Sequence, residues 1–483
     1  MIFRRSLATL ASTLTPTVRQ LLAPGTPTSA KPIQVNGWVK SVRRQKRIAF
    51  AVITDGSSAE GLQAVFTDVA LANDLSKGCA VSLTGVLADS IGPGQAKELQ
   101  VQEVKVVGEC NPEEYPVNKR EMTVDYLRDH CHLRTRTDDM AAVVRLRDST
   151  MRTMQDYFTN LGFTYAHTPL IVSNDCEGAG ETFRVLAPSE GPSTSSATPA
   201  SSSSTATQGN EKPPEHFFGR PAYLTVSSQL HLEALATSLS RVYTISPCFR
   251  AERSQTGRHL SEFWMLEAEW AFTNKVDDVC QVVEGAVKQA LSQGGPDLRL
   301  LRKDLLESRL VALEKAASGE PWTRISYTDA IRELEKAQST SKVFKYDPVW
   351  GSPLRSEHER WIAEQIANGP AFVTDYPTEL KPFYMRLNDD EKTVACFDLL
   401  VPHLGELVGG SLREERMSYL RQAMERDALD AASYDWYLDL RKFGGAPHGG
   451  FGLGFERLVS WMTGVENVRE CIPMPRWAGR MLL

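Results

Sequence analysis

Phe249-Arg250-Ala251-Glu252, followed by Arg258-His259-Leu260 and Glu262-Phe263, brings arginine, glutamate, histidine and an aromatic ring into one short stretch. A second, distant stretch reads Gly449-Gly450-Phe451-Gly452-Leu453-Gly454-Phe455-Glu456-Arg457-Leu458. Forked guanidinium donors neutralise phosphate oxygens, and an aromatic ring offers a face to a purine base. Glycine keeps the backbone of the second stretch thin, so that another guanidinium, Arg457, can close in on the same ligand. Together they have the chemistry to hold a bent nucleoside triphosphate. Either stretch alone is weak, since a single arginine is more often a surface ion pair.

Further segments narrow the reading. They are Thr168-Pro169-Leu170-Ile171 with Cys176-Glu177-Gly178-Ala179-Gly180-Glu181, Ser227-Ser228-Gln229-Leu230-His231-Leu232-Glu233, Glu406-Leu407-Val408-Gly409-Gly410-Ser411-Leu412-Arg413, and the tail Asn467-Val468-Arg469-Glu470-Cys471-Ile472-Pro473-Met474-Pro475-Arg476. In this order the segments resemble the motifs of class II aminoacyl-tRNA synthetases. The tail resembles the ending of the aspartate/asparagine subgroup, and the resemblance runs over residues 32–483. It implies an α+β architecture, with an N-terminal five-stranded OB-fold barrel ahead of a catalytic antiparallel sheet flanked by helices. It also implies an ATP-dependent ligase, in which the amino-acid carboxylate attacks the α-phosphate and the terminal tRNA ribose then takes the acyl group. Such a reaction needs positioning and charge neutralisation rather than a protein nucleophile.

By resemblance, Arg250 bridges the substrate carboxylate and the α-phosphate. Glu252 contacts the adenine amino group or orients the loop, Arg258 and His259 hold the γ-phosphate end, and Phe263 and Arg457 sandwich the adenine. Leu260, Gly454, Glu456 and Glu406 complete the expected ATP site, with Arg250, Glu252 and Arg457 as its catalytic members. Asp398 and Glu406 are the acidic pair expected to hold Mg2+, which prefers carboxylates, phosphate oxygens and water. In the amino-acid pocket, Glu177 and Gln229 are expected around the α-ammonium and Arg413 and Glu233 at the side chain, with Ser227, Gly409 and Arg250 also expected to bind the amino acid. Aspartate enzymes place a lysine three residues after the pocket glutamine; here that position is Leu232. A buried substrate carboxylate without its cation is disfavoured by several kcal/mol. Arg413 can donate to an amide oxygen, and Glu233 can accept from an amide NH2 while repelling a carboxylate. The expected substrates are L-asparagine and tRNA(Asn). Rival readings are a relaxed aspartyl enzyme, a synthetase-like asparagine synthetase, and a silent RNA-binding paralogue. Leu232, the N-terminal barrel and the intact Arg250, Glu406 and Arg457 speak against them in turn.

The elements that must position these residues fall into blocks. Residues 31–110 alternate in short runs: Ile33–Val39, Ile48–Ile53, Leu62–Phe66, Ala80–Val86 and Leu99–Val107 are the candidate strands of the barrel. Such barrels stack bases on aromatic rings beside cations. Phe50, Gln63, Arg43 and Arg44 are the expected anticodon contacts, although Phe50 reads equally well as barrel core. Residues 111–140 read as a linker and 141–483 as the catalytic domain. Within the latter, Val144, Met151, Met154, Phe158 and Leu161 recur at helical spacing. This helix and the strand ending at Pro169 are expected at a homodimer interface. Residues 188–214 are rich in Ser, Thr, Ala, Pro and Gly and read as a disordered insert, and 276–345 as a helical insertion.

Composition adds bounds. With 483 residues, 42% hydrophobic and 24% charged, the chain is ordinary for folded domains, and its net charge of −6 announces no global affinity for nucleic acid. The eight cysteines are scattered without Cys-x-x-Cys spacing, so neither zinc nor disulfides are expected. No apolar run reaches the roughly 18 residues of a membrane span. The first acidic residue of the chain is Asp55. Residues 1–30 carry Arg4, Arg5 and Arg19 among serines and threonines, with Ile2, Phe3, Leu7, Leu10, Leu14, Val18 and Leu21 at helical spacing. That pattern predicts a transit peptide and a mitochondrial matrix location.

Overall fold

A computed structural model describes residues 14–28, 31–92, 95–118, 122–173, 181–187, 216–254 and 256–483. Glu177, the insert at 188–214 and the first half of the expected transit peptide lie outside the described residues. The chain forms two compact units, one of residues up to 147 with 294–303, the other of 148–293 with 304–481.

The first unit is built on a closed barrel of β1 (Ile33–Arg44), β2 (Ala49–Thr54), β3 (Leu62–Phe66), β4 (Ala80–Asp89) and β5 (Lys97–Gly108), in the order β1-β2-β3-β5-β4. Strict alternation explains the closure: Ala49, Ala51 and Ile53 of β2 and Val81, Leu83 and Leu87 of β4 point inward and are buried. The odd-numbered register leaves Phe50 on the outer face of β2, directly opposite Arg43. Gln63 stands opposite Val52 on that same face. Phe50 is therefore not a core residue of the barrel. Arg44 is put to another use. Its guanidinium donates to the carbonyls of Ala72 (2.8 Å), Asn73 (3.0 Å) and Leu75 (2.6 Å), and so braces the turn after the helical residues Val69–Ala72.

The barrel also uses residues assigned above to a leader. Val18–Leu21 forms one helical turn, closed by a capping box between Thr17 and Gln20. Val18 and Leu21 are buried in the barrel core, and the Val18 and Arg19 amides donate to Asp55 Oδ2 (2.8 Å) and Ser57 Oγ (3.0 Å). The folded domain thus begins no later than Thr17, and a boundary at residue 31 cuts into it.

The second unit is organised by an eight-stranded sheet. Its strands, in chain order, are β6 (Thr164–Tyr165), β10 (Arg241–Phe249), β11 (Glu262–Ala271), β12 (Thr323–Ser326), β13 (Ala371–Pro377), β14 (Thr393–Val401), β15 (Gly405–Leu412) and β16 (His448–Gly454). The spatial order is β12-β13-β14-β15-β16-β11-β10-β6, antiparallel except at the two edges. A small side sheet joins β7 (Ile171–Val172), β9 (Ala222–Leu224) and β8 (Arg184–Val185). The region read as a helical insertion contains helices Val276–Leu291, Pro296–Leu301, Glu307–Ala317 and Tyr327–Ser341, but between the last two it also supplies β12, the edge strand of the main sheet. A long helix, Asp138–Asn160, starts with two acids at its positive end. Of the apolar positions expected along it, Met154 and Phe158 are fully buried while Val144 and the following Leu161 are exposed.

Deleting residues 1–30 is expected to destabilise the barrel by about 3–5 kcal/mol relative to deleting only residues 1–13, because two apolar side chains leave the core. Urea unfolding of the two shortened chains checks this; equal midpoints would remove Val18 and Leu21 from the barrel's stability.

Candidate active site

The register of the main sheet lays bare strips across one face. Asp398 of β14 pairs with Gly409 of β15, Gly409 with Gly452 of β16, and Gly452 with Glu267 of β11. The next row runs Cys396, Ser411, Gly450, Glu269. Because cross-strand partners share a face, the first row carries an acid at each margin with glycine as its floor, and the second is closed by Glu269 beside Gly450. Side chains there would collide with the site itself: a Cβ on Gly450 would meet the Glu269 carboxylate, and one on Gly452 would meet Met265 Cε at 2.5 Å.

Over this floor lie two cavities. The first, about 140 Å3, is lined by all ten residues read as nucleotide-binding: Arg250, Glu252, Arg258, His259, Leu260, Phe263, Glu406, Gly454, Glu456 and Arg457. Arg250 follows β10, and its guanidinium lies 5.4 Å from the Phe263 ring centre and 3.9 Å from Glu252. His259 Nε2 stands 3.4 Å from the other oxygen of Glu252, so one carboxylate ties Arg250 to the imidazole at the far end of the loop. Arg457 lines the same cavity as Phe263, and its Nη1 donates to the Glu406 carbonyl at 3.0 Å. The Glu456 carboxylate accepts from the Trp264 amide at 2.9 Å, which pins the helix Phe455–Thr463 to β11.

The second cavity, about 350 Å3, shares Arg250, Met265, Glu406 and Gly452 with the first and continues past Ser227, Gln229, Gly409 and Arg413. Leu232 lines it; Glu233 does not. Glu233 is fully buried behind the wall, its Oε1 accepting from Gln229 Nε2 at 3.0 Å and standing 3.9 Å from Arg413 Nε. The acid presented to the cavity beside Arg413 is Glu269, which Arg413 engages from Nη2 at 2.9 Å and from Nε at 3.2 Å. Burial pushes Glu269 up, and Arg413 opposes that. Burial also drives Glu233 upward, but Arg441, His448 and Arg413 outweigh it and hold this carboxyl far below the usual range.

Sequence reasoning missed Glu267, Glu269, Lys381 and Tyr384, all in the wall of this cavity. Glu267 and Glu269 follow Phe263 at the strand period of two, which is a readable signal; Lys381 has none. Lys381 donates to both oxygens of Asp398 at 2.8 Å, and that partner holds the ammonium charged against the desolvation that would strip it.

The acids Asp398, Glu406 and Glu359 lie close enough to repel one another: burial first, then Glu406 and Asp398, push the Glu359 carboxyl up to about 7. Oxygen donors with surplus negative charge beside a phosphate-sized cavity fit a hard cation such as Mg2+. The trio Glu233, Glu269 and His448 also brings its ligand atoms within 4.8 Å of one another. Arg413 and Arg441, at 2.9 and 2.8 Å from those carboxylates, already fill the cation's role there.

An arginine-rimmed cavity confluent with a second one walled by acids and their paired cations, on a glycine-floored antiparallel sheet, suits a site that holds a nucleotide beside an amino acid. The family model described as tRNA synthetases class II (D, K and N) matches residues 123–478, and that of the OB-fold nucleic acid binding domain matches 33–107. The chain belongs to the class II tRNA synthetases of the D, K and N group. It is similar to the asparagine--tRNA ligase of Picosynechococcus sp., 44% identical over 92% of this chain and 95% of that one. The asparagine--tRNA ligase of Protochlamydia amoebophila is 43% identical over 96% and 97%. Among solved structures, asparaginyl-tRNA synthetase from Pyrococcus horikoshii complexed with asparaginyl-adenylate superposes with a TM-score of 0.81 at 27% identity, covering 98% of this chain and 100% of that one.

Glu359 gives a pH signature. Its folded value lies above its ordinary 4.5, so the native state holds an extra proton between the two values and stability falls as pH rises through that window. In metal-free buffer, Glu359→Gln is expected to be more stable than the parent at pH 8, by at most about 3 kcal/mol, and to lose that advantage at pH 4. Melting curves in EDTA at the two pH values check this; a pH-independent difference would count against it.

Proposed function

We propose that this chain activates L-asparagine with ATP and transfers it to tRNA(Asn), as a homodimer working in mitochondria. The observation that carries the amino-acid choice is the end of the second cavity. Its wall is Leu232, and its cations are already engaged, Arg413 by Glu269 and Lys381 by Asp398. A substrate carboxylate there would bury a charge without a free partner, whereas an amide can exchange hydrogen bonds with the Arg413–Glu269 pair.

In the first step an oxygen of the α-carboxylate bonds to the α-phosphorus and the bond to the leaving pyrophosphate breaks. Arg250 lines both cavities, so one guanidinium can neutralise the carboxylate and the α-phosphate while negative charge gathers between them. The α-ammonium fits beside Ser227, Gln229 and the buried carboxylate of Glu267, which Ser228 N holds at 2.9 Å. His259 and Arg258, at the other end, suit the leaving phosphates. Mg2+ held by Asp398 and Glu406, with Glu359 adjacent, would supply further charge neutralisation on those phosphates. In the second step a hydroxyl of the terminal tRNA ribose bonds to the acyl carbon and AMP leaves with the shared oxygen. Arg43, Phe50 and Gln63, together on one outer face of the barrel, suit a stacked anticodon base beside a cation.

The dimer reading is supported by the exposed Leu161, Tyr165, Leu170 and Ile171. The mitochondrial reading is supported by the acid-free, arginine-bearing N-terminus. Sedimentation and organelle fractionation test these two; a monomer, or a purely cytosolic protein, would remove them.

Amino-acid-dependent ATP–pyrophosphate exchange tests the reaction. Asparagine should support it far better than aspartate, and Arg250→Ala should lower it by about 100–1,000-fold in a protein that still folds. Equal activation of both amino acids would replace the asparagine reading with a relaxed aspartyl one.

A further inference from the structure

Behind the amino-acid cavity, outside its lining, lies a buried polar cluster that the reaction as described does not use. Glu233 Oε2 accepts from Tyr437 Oη at 2.6 Å and from Arg441 Nη2 at 2.8 Å, and lies 3.0 Å from His448 Nε2. Tyr437 and Arg441 come from the helix Asp435–Lys442, and Arg441 Nε is fixed on the Glu414 carbonyl at 3.0 Å. The two oxygens of Glu233 thus face different ways. Oε2 meets this rear cluster, while Oε1 meets Gln229 and Arg413, both in the cavity wall.

Stability alone does not account for Arg441. Its Nη1 is buried with no hydrogen-bond partner among the described residues. Buried ion pairs are often no better for stability than apolar packing of the same volume. What Arg441 does change is how the neighbouring charges divide. Glu233 and Glu269 are close enough to raise one another's free energy, and Arg413 sits between them, 3.9 Å from the first and 2.9 Å from the second. Were Glu233 short of a cation, it would compete with Glu269 for Arg413 and draw that guanidinium out of the cavity wall.

We propose that Arg441 is a specificity-determining positioning residue. By taking Glu233 Oε2 it leaves Oε1 to hold Gln229 and leaves Arg413 to Glu269, which fixes two wall side chains of the amino-acid pocket, Gln229 beside the substrate's α-ammonium and Arg413 beside its amide. The inference rests on the asparagine reading given above. Arg441 touches no reactant; it acts through Glu233.

The test is a set of variants assayed by ATP–pyrophosphate exchange, with KM measured separately for asparagine and ATP. Arg441→Leu should raise the asparagine KM at least about tenfold while the ATP KM stays within about twofold, since only one subsite is disturbed. Arg441→Lys, which keeps the charge, should fall between the parent and the leucine variant. Glu233→Gln combined with Arg441→Leu removes the stranded carboxylate and should recover most of the asparagine KM, a coupling of at least about fivefold. If Arg441→Leu does not fold, the double variant against Glu233→Gln alone carries the test: a double variant that folds with an asparagine KM within about threefold of Glu233→Gln supports the coupling. An unchanged asparagine KM in Arg441→Leu overturns the proposal. So does a loss that moves both KM values together or is not relieved by Glu233→Gln. Failure of the parent protein to use asparagine at all would instead strike the asparagine reading, and the 233–441 coupling would still be read on whichever amino acid it activates.

Discussion

A sheet that must hold a charged ligand against one face cannot be clad there with side chains. The strip from Asp398 through Gly409 and Gly452 to Glu267 meets that constraint by register. Antiparallel pairing places glycine under the ligand and acids at its margins, and the other face of the same strands carries Leu266, Leu399 and Leu453 into the core. Shifting any of these strands by one residue would put apolar side chains on the floor and charge in the core. The position of Arg250 at the end of β10, of Met265 on β11 and of Arg457 after β16 all follow from that one alignment.

Charge is the second constraint, and it is met in pairs. Lys381 with Asp398, Arg413 with Glu269, and Arg441 with Glu233 are each at 2.8–2.9 Å and each largely withdrawn from water. Removing one member of such a pair strands the other at a cost of several kcal/mol. The pairs therefore behave as a single device: each keeps its neighbour's partner from being poached. A ligand entering the cavity meets side chains whose orientations have already been settled, which favours binding because little ordering remains to be done.

How much of this was readable from the residues depends on whether the signal was local. The nucleotide cavity is lined mostly by residues from two compact motifs, whose spacing reflects a loop after one strand and a strand running into a helix, so most of its membership was legible. Strand alternation from Phe263 carries a signal for Glu267 and Glu269 that the sequence reading passed over, and only the fold shows them meeting Gly452 and Gly450. Lys381 sits in a loop after Thr378–Leu380 with no period to mark it. Glu233 could be placed beside the pocket but not behind its wall, because a helix position predicts a direction and not the depth of its neighbours. Arg441 looks like any charged residue on an amphipathic helix until the fold brings it to Glu233. At the N-terminus, Val18 and Leu21 read alike as the apolar face of a leader and as a turn that fills a barrel, since both need the same spacing.

Arg44 carries a consequence for how the barrel responds to salt. Any protein that binds nucleic acid through cations displaces condensed counterions, and the steepness with which affinity falls on adding salt counts the phosphates neutralised. The run Arg43, Arg44, Lys46, Arg47 counts as four in the sequence. In the folded barrel the Arg44 guanidinium is held on the carbonyls of Ala72, Asn73 and Leu75; those partners are neutral, so it keeps its charge but not its freedom to swing toward a phosphate. The stretch therefore counts four charges as its sequence does, but the fold fixes the place of one of them.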